Sequence, residues 1–200
     1  MRQRNGLIPI FGSLGTVINS LYGVGEPRPP EYLFETFDLD TLRESYDTEF
    51  KKALGRDGKG KVPEDFWESY SAMANTEGGY IFLGIEERRD YLVAHSLDNP
   101  SRMIKELWDT LNNPTKVSQN ILQRANIREF SYEGKTLIQV RVPQATRKQR
   151  PVYIGTNPLS GTFYRRHEGD YVCNPDQVKM MLGEQVNDTR DSVTLERYSY

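Results

Sequence analysis

The segment Ser71–Glu87 constrains the fold of this chain more than any other part of its sequence. Residues compatible with a helix run into Gly78-Gly79, and an apolar, β-prone run at residues 80–83 follows at once. Because glycine ends helices readily and lets the backbone adopt a positive φ, the pair predicts a tight turn between a helix and a strand. Two carboxylates, Glu86 and Glu87, come directly after that strand. We therefore expect a helix, a turn and a buried strand that carries acids at its end.

Length and composition are those of an ordinary globular domain with extensions. The chain has 200 residues, of which 36% are hydrophobic and 27% charged, and this is enough to bury a hydrophobic core. A single cysteine excludes an internal disulfide, and two histidines without a cysteine pattern argue against a structural zinc site. We therefore expect a protein of a reducing, cytoplasmic compartment.

Charge is distributed unevenly, although the formal net charge is only −2. Acids dominate residues 31–49, whereas residues 141–166 contain bases and no acid. The bases of this second segment are Arg141, Arg147, Lys148, Arg150, Arg165 and Arg166. Opposed charges within one domain are compatible with a phosphate-binding face beside an acidic, cation-binding one. A solvated surface with uneven charge is the alternative.

Composition divides the chain into four parts. Residues 1–22 form an apolar arm, residues 23–31 a Pro/Gly linker, residues 32–184 the folded domain and residues 185–200 a polar tail. The apolar residues of the arm follow the spacing of an amphipathic helix, and polar residues and glycines dilute it too far for a membrane span. We expect no membrane partner and predict that the arm packs on the domain or on another copy of the chain, as in a homo-oligomer. A targeting segment is the alternative.

Capping and periodicity predict the elements of the folded domain. Helices are expected over Glu64–Asn75, from Asn99-Pro100 to about Asn112, and after Asn174-Pro175. Alternating residues predict a hairpin of Ile127–Tyr132 and Lys135–Val142 about Glu133-Gly134, and a second pair of strands at residues 151–155 and 161–166. Helices mixed with antiparallel hairpins indicate an α+β fold with a mixed β-sheet and flanking helices.

Four segments together resemble one known family. They are ESxxxEFK from Glu44, SAxANTEGGYIxLGIEE from Ser71, PVYI from Pro151 and GTFYRR from Gly161. A chain with these segments is similar to the Schlafen AlbA-type domain, which is described as a DNA-binding domain of bacterial regulators and is shared with the Schlafen proteins. The resemblance covers residues 42 to 182, and it implies a Schlafen/AlbA-type fold whose partner is nucleic acid, either DNA or RNA.

The ESxxxEFK segment also suggests catalysis. If residues 49–51 are extended, Glu49 and Lys51 share a face, where they could hold a divalent cation and neutralise a phosphate. The resemblance to ribonuclease-active Schlafen proteins implies a catalytic set of Glu44, Glu49 and Glu87, with Glu86 as the neighbouring option. These acids would bind Mg²⁺ or Mn²⁺, and Lys51 would stabilise the charge that develops on phosphate. The alternative is that the acids form an N-cap, a salt bridge to Lys51 and a solvated strand end.

The segment Phe163–His167 places arginines beside aromatic rings near the end of a strand. Arginine makes bidentate phosphate contacts, and exposed aromatic rings stack on unpaired bases. We predict phosphate contacts from Arg141, Arg147, Lys148, Arg150, Arg165 and Arg166. The alternative is a surface strand whose arginines pair with Glu168 and Asp170.

A nucleotide cofactor is not expected. Residues 55–61 satisfy GxxxxGK, but Val62 replaces the Ser or Thr of a P-loop and Pro63 prevents a helix from starting at the lysine. The resemblance, together with the basic residues, implies a nucleic-acid-binding module of a transcriptional regulator. A metal-dependent endoribonuclease with a three-carboxylate site is the first alternative, and an adaptor that oligomerises through the arm is the second.

Overall fold

A computed structural model of the chain describes residues 47–55, 60–89, 91–167 and 169–197, with side chains up to residue 186. The arm at residues 1–22, the linker at residues 23–31 and Glu44 lie outside the described residues, as do residues 56–59 of the GxxxxGK segment. Self-association through the arm therefore stays a prediction.

The elements follow one another as strands and helices mixed along the chain. In order they are β1 (Thr48–Lys51), α1 (Asp65–Asn75), β2 (Gly79–Leu83), β3 (Ile85–Glu87), β4 (Leu92–Ala94), α2 (Pro100–Leu111), a 3₁₀ turn (Arg124–Asn126), β5 (Ile127–Tyr132), β6 (Lys135–Val142), α3 (Pro158–Gly161), β7 (Phe163–Arg166), β8 (Gly169–Val172) and α4 (Pro175–Arg197). No helix in this described part is long and apolar enough to cross a membrane.

A four-stranded mixed sheet, in the order β1-β2-β6-β5, carries the core. β1 and β2 are parallel, which requires a crossover that α1 supplies, whereas β6 runs antiparallel to both of its neighbours. Alternate residues of β2 and β6 face α1 and α2, and Ile81, Leu83, Ile138 and Val140 are fully buried there. On the opposite face of the sheet, Phe50 stacks on Phe82 with 5.6 Å between ring centroids. The predicted α+β class with a mixed sheet and flanking helices is confirmed.

The predicted helix starts are confirmed by the caps. The side chain of Asn99 accepts a hydrogen bond from the backbone N–H of Arg102 at 3.0 Å, and Asn174 accepts from Gln177 at 2.9 Å. These contacts satisfy amide groups that have no partner within the first turn of a helix. α4 continues to Arg197, and so extends into the segment whose composition sets it apart as a polar tail.

The predicted hairpin is confirmed, whereas the predicted pairing of residues 151–155 with residues 161–166 is wrong except for one bridge. β5 and β6 pair about Glu133-Gly134, both with positive φ, as a two-residue turn requires. Within residues 151–155, Tyr153 forms an isolated bridge to Thr162 and Ile154 one to Val117, and β7 pairs with β8 instead. The physical reason is that side chains of α1 occupy the backbone groups through which the predicted strands would have paired.

Candidate functional site

Two buried side chains of α1 replace the missing strand pairing. The Asn75 amide donates to the carbonyls of Val152 at 2.8 Å and Phe163 at 2.9 Å, and its oxygen accepts from the Val152 N–H at 2.9 Å. Ser71 Oγ donates to the Val152 carbonyl at 2.8 Å and accepts from the Phe163 N–H at 3.0 Å. Because buried backbone groups must be hydrogen-bonded, these contacts fix the segment before α3 and the start of β7 to the helix.

The glycine pair after α1 makes a close approach that a side chain would prevent. Gly78 has a φ of +81°, and a Cβ at Gly79 would lie 2.4 Å from the Asp47 carbonyl and 2.9 Å from Met73 Sδ. The turn therefore brings β2 directly alongside the start of β1. Thr76, in the same turn, accepts a hydrogen bond from the Arg165 N–H at 3.0 Å, which attaches β7 to the end of α1.

Arg165 lies inside a charged network. Its side chain is only 7% exposed, and Nη1 donates to Asp170 Oδ1 at 2.8 Å. Nη2 donates to Glu49 Oε2 at 2.9 Å and to the Thr48 carbonyl at 3.1 Å. The guanidinium thus joins β7, β8 and β1, because a buried charge is stable only when it is paired and hydrogen-bonded. Of the acids that the sequence offered as partners, Asp170 forms the pair, and Glu168 lies outside the described residues.

Glu49 and Lys51 share one face of β1, as the extended pattern predicted. Lys51 Nζ lies 3.0 Å from Glu49 Oε1 and 2.7 Å from Asp65 Oδ2. Burial alone would lower the pKa of Lys51, but the hydrogen bond to Asp65 and the nearby charge of Glu49 outweigh it, so the pKa is raised. A groove with a volume of about 770 Å³ runs along this cluster, and its wall also includes Lys52 and Lys61.

Glu86 and Glu87 lie on β3 and have different surroundings. The Glu86 carboxylate contacts His95 Nε2 at 2.8 Å, Lys52 Nζ at 3.2 Å and Arg88 Nη2 at 3.4 Å. The hydrogen bond from His95, followed by those from Lys52 and Arg88, lowers the pKa of Glu86 to about 2. Glu87 is exposed at the end of the strand, and strand geometry turns it to the opposite side from Glu86.

The described side chains do not assemble a metal site. Within the described residues, no group of three or more His, Cys, Asp or Glu side chains could hold a metal ion. Both carboxylate oxygens of Glu49 already contact cationic groups, those of Lys51 and Arg165. Glu44, the third member of the set that the resemblance implies, lies outside the described residues. A site of Glu44, Glu49 and Glu87 for Mg²⁺ or Mn²⁺ therefore stays a prediction.

The structure separates the six predicted phosphate-binding residues. Arg147, Lys148 and Arg166 are exposed, whereas Arg150 is half-buried, with Nη1 at 3.5 Å from the Asn75 carbonyl at the end of α1. Arg141 lies in register with Tyr80, on the sheet face opposite to α1 and α2. Burial raises the pKa of Tyr80, and the charge of Arg141 opposes that shift. Four of the six bases thus gather around the end of α1, Arg165 is enclosed beside them, and Arg141 lies apart.

The sequence analysis did not identify Asp65 or Asn75 as parts of a site, and it named Asp170 only as an alternative partner of the arginines. The packing of α1 against β1 brings Asp65 to Lys51, whereas Asp170 lies directly opposite Arg165 in the β7–β8 strand pair. Asn75 carried no local signal of this role, since asparagine is common at helix ends, as Asn112 at the end of α2 shows.

One comparison with known protein families agrees with the sequence motifs. The model of the family described as Schlafen, AlbA_2 matches residues 44–174. Among solved structures, the chain is similar to the N-terminal domain of a protein from Nitrosomonas europaea, named as ATP-dependent DNA helicase RecG-related, with 23% identity and a TM-score of 0.48 over 68% of this chain and 90% of that one. It is also similar to a protein of Corynebacterium diphtheriae, with 18% identity and a TM-score of 0.43 over 64% of this chain and 22% of that one. No curated protein matches the chain.

Proposed function

This chain belongs to the Schlafen, AlbA_2 family, and from this premise we propose that it binds nucleic acid through the bases around the end of α1. The observation that carries the proposal is that Arg147, Lys148 and Arg166 are exposed. The backbone near them is held in place by hydrogen bonds from the Val152 N–H to Asn75 and from the Arg165 N–H to Thr76. We call these three residues and Arg150 the basic surface.

Such an arrangement suits phosphate recognition. Bases on a fixed backbone lose little conformational freedom when they bind, so more of the electrostatic attraction contributes to affinity. The half-buried Arg150 also places a cation at the C-terminal end of α1, where the helix dipole favours it. In this proposal Arg165 acts as a positioning residue that fixes β7, and Arg141 is not part of the basic surface. Phosphate contacts of this kind give affinity for DNA and RNA alike.

Replacing Arg147, Lys148 and Arg166 together by alanine should weaken binding and reduce its salt dependence. Each phosphate contact that is lost removes about one unit from the slope of log K against log salt. The measurement is fluorescence anisotropy with a labelled oligonucleotide over a series of salt concentrations. The matched control is Lys105→Ala, an exposed lysine on α2 whose partner is Asp109. If the salt dependence of binding is the same in the triple variant as in the wild type, the basic surface does not contact the nucleic acid.

A metal-dependent nuclease is the second candidate function, and the cluster of Glu49, Lys51 and Asp65 in the open groove favours it. A lysine whose pKa is raised stays charged at neutral pH and can neutralise a phosphate placed beside it. The groove thus combines an acid and a fixed cation at the edge of the sheet. Glu44 and Glu87 would complete the set that the family resemblance implies.

An incubation experiment distinguishes the binding module from the nuclease. The protein is mixed with labelled transfer RNA or double-stranded DNA, in the presence of Mn²⁺ or of EDTA. We expect retarded but intact nucleic acid under both conditions, because both carboxylate oxygens of Glu49 contact cationic groups and Asp65 is paired with Lys51. The matched variants are Glu49→Gln and Asp170→Asn, each of which removes one carboxylate partner of Arg165. The opposite result would be cleavage that requires Mn²⁺, is lost in Glu49→Gln and persists in Asp170→Asn. That result would contradict the binding module and support the nuclease.

A further inference from the structure

A second cavity, apart from the basic surface, lies against the first half of α1. Its volume is about 470 Å³, within the range of small-molecule sites. Trp67, Ile154 and Phe163 form its apolar wall, and Glu64, Glu68 and Lys116 supply charge at its edges. We call this cavity the aromatic pocket.

The polar groups of the aromatic pocket are not engaged by the protein. Within the described part of the chain, the side chains of Glu64, Glu68 and Lys116 form no hydrogen bond or ion pair, nor does the indole N–H of Trp67. Most other acids near the site, including Glu49, Asp65 and Glu86, are paired with bases. Two carboxylates, one ammonium group and one indole N–H are therefore available to a ligand in one cavity.

These groups match an unpaired nucleotide. A flat base can stack on the rings of Trp67 and Phe163, and a carboxylate accepts hydrogen bonds from the N–H groups on the base edge. Guanine is the best fit, because N1–H and the N2 amino group stand side by side and can donate to both oxygens of one carboxylate. Lys116 would neutralise the phosphate of the same nucleotide.

The position of the pocket connects it with the proposed interface. Glu64 lines both the aromatic pocket and the groove that holds Lys51, Lys52 and Lys61, so the two cavities adjoin. Phe163 begins β7, the strand that ends at Arg166 of the basic surface. An unpaired strand that crosses the groove could therefore place one base in the pocket.

We propose that the aromatic pocket binds an unpaired base of a single-stranded nucleic acid, with guanine preferred. This inference rests on the proposed function, since it names the base contact of a chain that already binds phosphate. The base stacks on the rings of Trp67 and Phe163. The carboxylate of Glu68, with Glu64 beside it, accepts hydrogen bonds from the edge of the base. It makes the protein a reader of single strands with one base-selective position.

The test compares short oligothymidylates that carry one central guanine or one central adenine, by fluorescence anisotropy at fixed salt. We expect the wild type to prefer the guanine oligonucleotide. Trp67→Leu should weaken that binding by about tenfold, the cost of losing one stacked base. Glu68→Gln should remove the preference for guanine over adenine, measured as the ratio of the two affinities.

Matched controls separate the pocket from general effects. Trp108→Leu alters the other tryptophan, which is half-buried on α2 and does not line the pocket, and Glu133→Gln removes the same charge on the β5–β6 turn. Both should keep the guanine preference. If Trp67→Leu fails to fold, Glu68→Gln decides, because it changes an exposed residue. If the wild type binds both oligonucleotides equally and Glu68→Gln binds them as the wild type does, the role of the pocket is contradicted but the proposed function is not. If the wild type binds no oligonucleotide at all, both the role of the pocket and the proposed function are contradicted.

Discussion

Replacing Asn75 by alanine should lower the free energy of unfolding by about 3 kcal/mol, because it removes the three hydrogen bonds between the Asn75 amide and the backbone of Val152 and Phe163. The amide of Asn75 is 5% exposed and serves the N–H and the carbonyl of Val152 and the carbonyl of Phe163. Alanine favours a helix more than asparagine, so the loss arises from tertiary contacts and not from α1 itself. The measurement is equilibrium unfolding in urea, followed by circular dichroism.

The matched control for this variant is Asn112→Ala. Asn112 also ends a helix, α2, but its side chain is exposed and, among the described residues, hydrogen-bonds only to the side chain of Asn120. We expect a loss of less than about 1 kcal/mol for the control, since water can replace that contact. If the two variants were equally stable, Asn75 would not hold the segment at residues 151–163, and the fixed backbone that the proposed interface needs would lose its basis.

Replacing Arg165 by methionine should cost a similar amount, about 3 kcal/mol or more, because it leaves Glu49 and Asp170 without the charge between them. The two carboxylates are 23% and 13% exposed, so water compensates only in part. Methionine keeps most of the apolar volume of the arginine stem, and the loss therefore reports on the charge. Unfolding in urea at neutral pH measures it.

The neighbouring Arg166→Ala is the control that distinguishes the two roles an arginine can have here. Arg166 is exposed at the end of β7, so we expect its replacement to change stability by no more than about 0.5 kcal/mol. It should instead reduce the salt dependence of nucleic-acid binding. The opposite pattern, a stable Arg165→Met with a reduced salt slope, would place Arg165 on the phosphate-binding surface and contradict the positioning role.

Together these variants divide the GTFYRR segment by function. The sequence presents Arg165 and Arg166 as an equivalent pair, and only strand alternation separates them: one side chain turns inward to Glu49 and Asp170, and the other turns outward. A double variant would combine a stability effect with a binding effect. Single substitutions are therefore the informative experiment.

Local chemistry was sufficient to predict several features. Asn99 and Asn174 cap their helices, because a side-chain oxygen next to the first turn satisfies an amide of the same segment. Glu133-Gly134 makes the predicted two-residue turn, since only residues that tolerate a positive φ allow it. The shared face of Glu49 and Lys51 follows in the same way from the period of an extended strand. The motifs were also sufficient to indicate the family.

Helix caps, the hairpin turn, strand alternation and the glycine turn of the ANTEGG motif depend on neighbouring residues, and they could therefore be predicted from the amino-acid sequence alone. Which distant groups meet depends instead on how the helices and strands pack against one another. In the folded protein, the side chains of Asn75 and Ser71 bind the backbone groups for which a strand pair was predicted. Arg165 lies between Glu49, which is more than 100 positions away in the chain, and Asp170 on the next strand. Glu86 contacts His95 and Lys52. The physical reason is that the role of a polar side chain is set by burial and by its partners, which depend on long-range packing and leave no periodic signal in the chain.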